Sequence, residues 1–96
     1  MKLLYTPEAV TDLRRLREFI AEKNPEAAQK MGPQLVDDIS TLITLPYLGR
    51  KVQRAPNPEI VRDLSAGAYI VRYLLLDDAI HVLRIWHKRE DWANVL

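Results

Sequence analysis

With 96 residues, 48% hydrophobic and 28% charged, the chain has the composition of one ordinary globular domain over residues 1–96, which excludes disordered and fibrous classes and leaves no room for two cores. Fourteen Lys and Arg against thirteen Asp and Glu give a net charge of +1, too little for whole-molecule attraction to a polyanion, so any such contact has to be local. The absence of cysteine excludes a disulfide framework and thiolate chemistry, which suits a reducing compartment. The first residues lack a signal peptide's apolar core, and no stretch approaches the roughly 20 apolar residues of a membrane span, so a soluble cytoplasmic protein is expected.

Met1 to Tyr5 is rich in β-compatible residues, and Thr6-Pro7-Glu8 follows as an N-cap, a first-turn proline and a first-turn acid. A short strand should therefore feed directly into a helix. From Pro7 to about Lys23, Val10, Leu13, Leu16, Phe19 and Ile20 recur at three- and four-residue spacing, the pattern of an amphipathic helix. Asn24-Pro25 can end that helix or cap and start the next, because Asn tolerates a left-handed C-terminal position and also serves as an N-cap. A second helix should run from about Pro25 to Leu45 with Ala28, Met31, Leu35, Ile39 and Leu42 on one stripe and Pro46 as its stop. Gly32-Pro33 interrupts it, and the lost backbone donor and ring clash predict a kink or short break near Lys30.

Residues 46–58 hold three of the six prolines with Gly49 and Asn57 and read as an ordered basic loop. Beyond it the period becomes strand-like: Glu59 to Leu64, Ala68 to Leu76 and Ala79 to about Arg89 are three candidate strands, with Ser65-Ala66-Gly67 and Asp77-Asp78 as turns. The order β-α-α-β-β-β predicts an α+β fold with a helical hairpin packed on a small, mainly antiparallel curved sheet. Strict alternation across Asp77-Asp78 puts Ile70, Arg72, Leu74, Leu76, His81, Leu83, Ile85 and His87 on one face. Tyr69, Val71, Tyr73, Leu75, Ile80, Val82, Arg84 and Trp86 take the other. Both faces are mostly apolar and one helical hairpin covers only one of them. The other face calls for a partner segment, or for a curled sheet covered by the 46–58 loop.

Basic residues cluster at Arg14, Arg15 and Arg17, at Arg50, Lys51 and Arg54, and at Lys88 and Arg89; each cluster also fits a solvated surface. RNA cleavage through the 2′-hydroxyl needs a proton acceptor, a proton donor and cations for the phosphate charge. His87 could move the proton, since imidazole titrates near neutrality, with Arg89, Arg84 or Arg62 holding phosphate. The same His87 also fits an ordinary polar strand end. With two histidines and no cysteine, no metal site and no cofactor is expected.

Taken in order, the opening strand and capped helix, Asn24-Pro25-Glu26-Ala27-Ala28, Leu45-Pro46 with Gly49-Arg50, Ile60-Val61-Arg62-Asp63-Leu64, Tyr69-Ile70-Val71-Arg72-Tyr73 and Val82-Leu83-Arg84-Ile85-Trp86-His87-Lys88-Arg89 resemble the ParE/RelE toxin superfamily over nearly the whole chain. The resemblance implies a toxin of a type II toxin–antitoxin system, neutralised by a ParD-like or RelB-like antitoxin that wraps it with an extended segment. It implies two activities: inhibition of DNA gyrase by ParE-like members, or ribosome-dependent mRNA cleavage by RelE-like members. Ser65 stands where a cation is common in the nucleases, and after Arg89 there is Trp92 but no tyrosine, which favours the ParE-like activity. Arg84, His87, Lys88, Arg89 and Trp92 are then the candidate target-binding residues. Leu13, Leu16, Tyr69, Val71, Tyr73 and Trp86 are the candidate antitoxin-binding residues. A non-toxic interaction module is a third reading.

Overall fold

The computed structural model describes residues 1–90. Strand β1 (Lys2–Tyr5) leads into helix α1 (Pro7–Ala21), helix α2 (Pro25–Ser40) and a 3-10 turn (Thr41–Ile43), followed by strands β2 (Arg50–Lys51), β3 (Val61–Ala66), β4 (Tyr69–Leu76) and β5 (Ala79–His87). The five strands form one sheet in the order β1-β5-β4-β3-β2. Only the β1–β5 pair is parallel. The expected α+β architecture stands, with the basic loop contributing an unforeseen two-residue edge strand.

Local chemistry explains the boundaries. Thr6 caps α1 by accepting the Ala9 N–H at 3.1 Å, and Asn24 caps α2 by accepting the Ala27 N–H at 3.1 Å, so Asn24 starts the second helix rather than only closing the first. Asp77 and Asp78 both take positive φ, 55° and 56°, the geometry of the two-residue hairpin turns that match strand twist. Gly67, at φ 58°, turns β3 into β4 at a position that disfavours a side chain. Of the expected kink or break, the break does not occur: α2 continues through Gly32-Pro33. Pro33 and Gln29 lie on the exposed side, where water can serve the carbonyl that proline leaves unpaired, while Ala28, Met31, Leu35 and Ile39 hold the buried stripe on both sides of it. The helix ends at Ser40, short of Leu45, because the chain tightens into the 3-10 turn that buries Leu42.

The helices cover one face of the sheet. Ala9, Leu16, Met31, Leu35, Ile39 and Leu42 pack on Leu64, Val71, Tyr73, Leu75, Ile80, Val82 and Ile85. Val10 and Phe19, expected on the packed stripe of α1, are 46% and 55% exposed, and Asp12 takes a buried place on it. Strict alternation also fails in β5. Tyr73 pairs with Val82 but Arg72 pairs with Arg84, leaving Leu83 as the extra residue of a bulge. One inserted residue exchanges the faces of everything beyond it. Ile85 and His87 therefore join Val71 and Tyr69 on the helix side, and Arg84 and Trp86 move to the outer side with Arg72 and Ile70.

This correction reaches the expected antitoxin-binding residues. Leu16, Val71 and Tyr73 are wholly buried core and present no surface to a partner. Leu13 and Tyr69 are partly buried against the same core, and Trp86 is 9% exposed beneath Arg72, whose guanidinium carbon lies 5.1 Å from its ring centre.

Candidate interaction face

Past Tyr5, β1 no longer pairs with β5, and no strand among the described residues pairs with the edge of β5 from residue 83 to 87. Side chains serve it instead. The Thr6 hydroxyl donates to the Leu83 carbonyl at 2.9 Å, the Asp12 carboxylate accepts the Ile85 N–H at 2.9 Å, Arg15 donates to the Ile85 carbonyl at 3.2 Å, and Glu90 accepts the His87 N–H at 2.9 Å. Asp12 also accepts two bonds from Arg84, at 2.8 and 3.1 Å, and Arg15 pairs with Glu90. A carboxylate buried to this degree needs such partners, because an unpaired one would carry a large desolvation cost. The Asp12 hydrogen bond raises the Arg84 guanidinium above its usual range, against an opposing effect of burial.

A second network shapes the 46–58 loop. Arg62, 8% exposed, faces the helix side and donates to the carbonyls of Tyr47, Gly49 and Glu59 at 3.2, 3.0 and 3.1 Å. The Tyr73 hydroxyl accepts the Gly49 N–H and donates to the Pro46 carbonyl, both at 2.8 Å; burial keeps this phenol above its ordinary pKa. Gly49 is required here, since a Cβ would lie 2.7 Å from the Tyr73 ring and hydroxyl.

So anchored, the loop only partly covers the outer face. Val52 and Ala55 are buried, and two hollows remain. One, of about 380 Å³, lies between Thr6 and Glu8 of the first helix's entry, Ala55 and Pro56 of the loop, and Val61, Arg72, Leu83 and Arg84 of the sheet. The other, larger at about 840 Å³, is bordered by Arg50, Lys51, Gln53, Asp63, Ser65, Ile70 and Lys88. Between them Arg72 holds Asp63 through two hydrogen bonds of 2.8 and 2.9 Å. The sheet thus neither lies bare for a partner nor is fully roofed by its own loop.

The residues named for RNA cleavage do not share one site. Arg62 is spent on loop carbonyls, and Arg84 is held by Asp12. His87 stands edge-on to Tyr69 on the helix side, with ring centres 5.4 Å apart, and its Nδ1 accepts the Arg89 N–H at 3.0 Å. His87 and Arg89 border a separate hollow with Phe19, Ile20 and Lys23. The target-binding candidates divide likewise: His87 and Arg89 on that hollow, Lys88 on the basic outer one, Arg84 on the apolar outer one. Trp92 lies outside the described residues. Unforeseen is the convergence of Arg50, Lys51 and Lys88 around Ser65; all three stood out as members of two separate basic clusters, but their meeting depends on the pairing of β2 with β3, β3 with β4 and β4 with β5. Among the described residues no group of three or more His, Cys, Asp or Glu could hold a metal ion, and no helix is long and apolar enough to cross a membrane.

These features define a small α+β domain with a helical hairpin on a sheet in which β1 and β5 pair in parallel. The profile of the family described as the ParE toxin of the type II toxin–antitoxin system parDE matches residues 3–92. The toxin RelE1 of Caulobacter vibrioides is 36% identical over 88 residues, 92% of this chain and 94% of that protein. Toxin RelE2 of the same organism is 29% identical over 86 residues, 90% and 93% of the two chains. A solved structure of the chromosomal ParDE system from P. aeruginosa superimposes with a TM-score of 0.77 at 24% identity, covering 91% of this chain and 95% of that one, a likeness of fold. The chain belongs to the ParE toxin family of type II toxin–antitoxin systems, a membership that implies a cognate antitoxin.

Proposed function

We propose that the chain is a cytoplasmic growth-arresting toxin that inhibits DNA gyrase by contact, with a ParD-like or RelB-like antitoxin as its silencing partner. The observation that carries this reading is the dispersal of the groups an RNA-cleaving centre would use: His87, Arg84 and Arg62 stand in three surroundings, two of them already satisfied by partners. Inhibition by binding needs no proton transfer and tolerates that dispersal. Ribosome-dependent mRNA cleavage is the second reading, favoured by the three cations around Ser65 and by the names of the Caulobacter relatives.

Two assays on the same folded protein separate them: supercoiling by purified gyrase and cleavage of mRNA on translating ribosomes. Supercoiling should stop when the protein is added, Arg89→Ala and Trp92→Ala should weaken the effect, and His87→Ala should matter less. Cleavage that falls about 100-fold or more in His87→Ala, the usual loss for a general acid or base, with gyrase untouched, overturns the gyrase reading.

A further inference from the structure

We infer that the turn after the second helix, Ile43 to Leu48, seats the same turn of a second copy of this chain, in a two-fold dimer where Asp37 of each copy meets Arg50 of the other. Ile43, Leu45, Tyr47 and Leu48 are all exposed, Tyr47 the most at 64%. They stand within one tight stretch: the Leu45 N–H donates to the Thr41 carbonyl at 3.0 Å, and the Leu48 N–H donates to the Leu45 carbonyl at 3.1 Å. No residue from Ile39 to Gly49 is charged, the longest such run in the chain. Clustered exposed apolar side chains mark interaction sites, whereas single ones need no explanation.

Polar groups of the sheet hold this turn still. Arg62 donates to the Tyr47 and Gly49 carbonyls, and its guanidinium carbon lies 4.9 Å from the centre of the Tyr47 ring. The Tyr73 hydroxyl fastens Pro46 and Gly49. A surface fixed before contact loses little freedom on binding, so burial of its apolar side chains goes into association rather than into ordering the turn.

The chemistry of the patch selects its occupant. With no cation from Ile39 to Gly49 the turn offers nothing to a chain of phosphates, and without charge of either sign it has nothing to pair with a charged peptide. It fits another uncharged apolar surface, and its flanks single out a copy of itself. Asp37 on α2 precedes the run and Arg50 on β2 follows it. Both are exposed, and among the described residues neither forms an ion pair, while their neighbours Asp38 and Lys51 are engaged by Gln34 and Glu59. A two-fold contact sets residue i against j and j against i. The acidic flank of each copy then falls beside the basic flank of the other, giving two complementary pairs. Four such side chains and two rim pairs cover less than the roughly 1,200 Å² of total area below which contacts are weak and transient, so the dimer should dissociate in the micromolar range. Neither gyrase as the target nor the seat of the antitoxin enters into this contact.

The test is sedimentation velocity of the full chain, alone and at low salt, over a dilution series from about 1 to about 500 μM. The sedimenting species should pass from monomer to dimer across the series. Leu45→Ser combined with Leu48→Ser should weaken the dimer by about tenfold or more. Asp37→Arg and Arg50→Asp should each weaken it about fivefold, because a reversed charge opposes its neighbour twice by symmetry. The chain carrying both reversals should recover the dimer, and so should an equimolar mixture of the two single variants, in which every crossed pair again joins opposite charges. All four positions are exposed, so these variants should fold, and unchanged urea midpoints would verify it. A monomer at every concentration overturns the inference. So does a dimer indifferent to the leucine changes, which lies elsewhere on the molecule, or a mixture no more associated than its two components, which leaves the flanks uncrossed. None of these outcomes bears on the supercoiling assay.

Discussion

The inner and outer faces of the sheet come from the same strands by alternation, yet they are finished differently. On the inner face the polar groups of Arg62 and Tyr73 are consumed by backbone carbonyls and an amide of the neighbouring loop, and the apolar side chains close against two helices. On the outer face Arg72 is paired with Asp63 and lies over Trp86, which shields apolar area without filling it, and hollows persist on either side. The difference teaches that one face is held by packing density and the other by charge placed over partly covered apolar surface.

The comparison is broken most severely by a cavity on the inner face. Leu16→Ala, at a wholly buried position, should lower unfolding free energy by about 2–5 kcal/mol, whereas Leu74→Ala on the half-buried outer side should cost roughly 1 kcal/mol. Urea unfolding of the two variants measures the contrast, and equal losses would mean that the outer face is as tightly packed as the inner. Next in size is Asp12→Ala, which leaves the Ile85 N–H and the Arg84 guanidinium without their carboxylate. A loss of about 1–3 kcal/mol is expected for the stranded groups, with amide exchange at Ile85 accelerated ahead of the rest of β5.

Gly49→Ala should cost about 1–3 kcal/mol through overpacking, because the new methyl meets the Tyr73 ring and the Asp63 carbonyl, 2.7 and 2.9 Å away. Here amide exchange should rise in the 46–58 loop rather than in the helices, which separates loop detachment from general weakening. The smallest effect is the pH dependence of the inner face. Burial raises the phenols of Tyr5, Tyr69 and Tyr73 above their ordinary value of 10.0, so the folded state favours their neutral form. Their contribution is complete below about pH 10 and is lost as pH rises through the folded values. Urea midpoints should decline on the alkaline side, and Tyr73→Phe should make that decline shallower.

Much of this architecture was legible because its signals are local. Thr6-Pro7 and Asn24-Pro25 announce caps within four residues, the stripe from Ala28 to Ile39 repeats at helical spacing, and Asp77-Asp78 suits the left-handed turn it forms. What escaped depends on distant partners. Nothing near Leu83 marks it as an extra residue, since a bulge is fixed by the pairing of β4 with β5, and so the faces of Arg84 through His87 were exchanged. Asp12 reads as one more charge on a helix surface until the Ile85 amide, 73 residues away, explains its burial. Arg62 reads in sequence as a candidate phosphate ligand, and the loop carbonyls that claim it lie in a segment whose path the sequence does not specify.

The parallel pairing of Lys2–Tyr5 with residues 79–82 also governs the order in which the molecule can be assembled as it is synthesised. The helical hairpin needs only nearby sequence, but β1 has no neighbour in the sheet until β5 has been made, and the edge served by Asp12 has no N–H to accept before then. Pairing across so long a stretch of chain is slow compared with local contact formation. The first strand therefore remains without its sheet neighbour until residues 79–82 have been made.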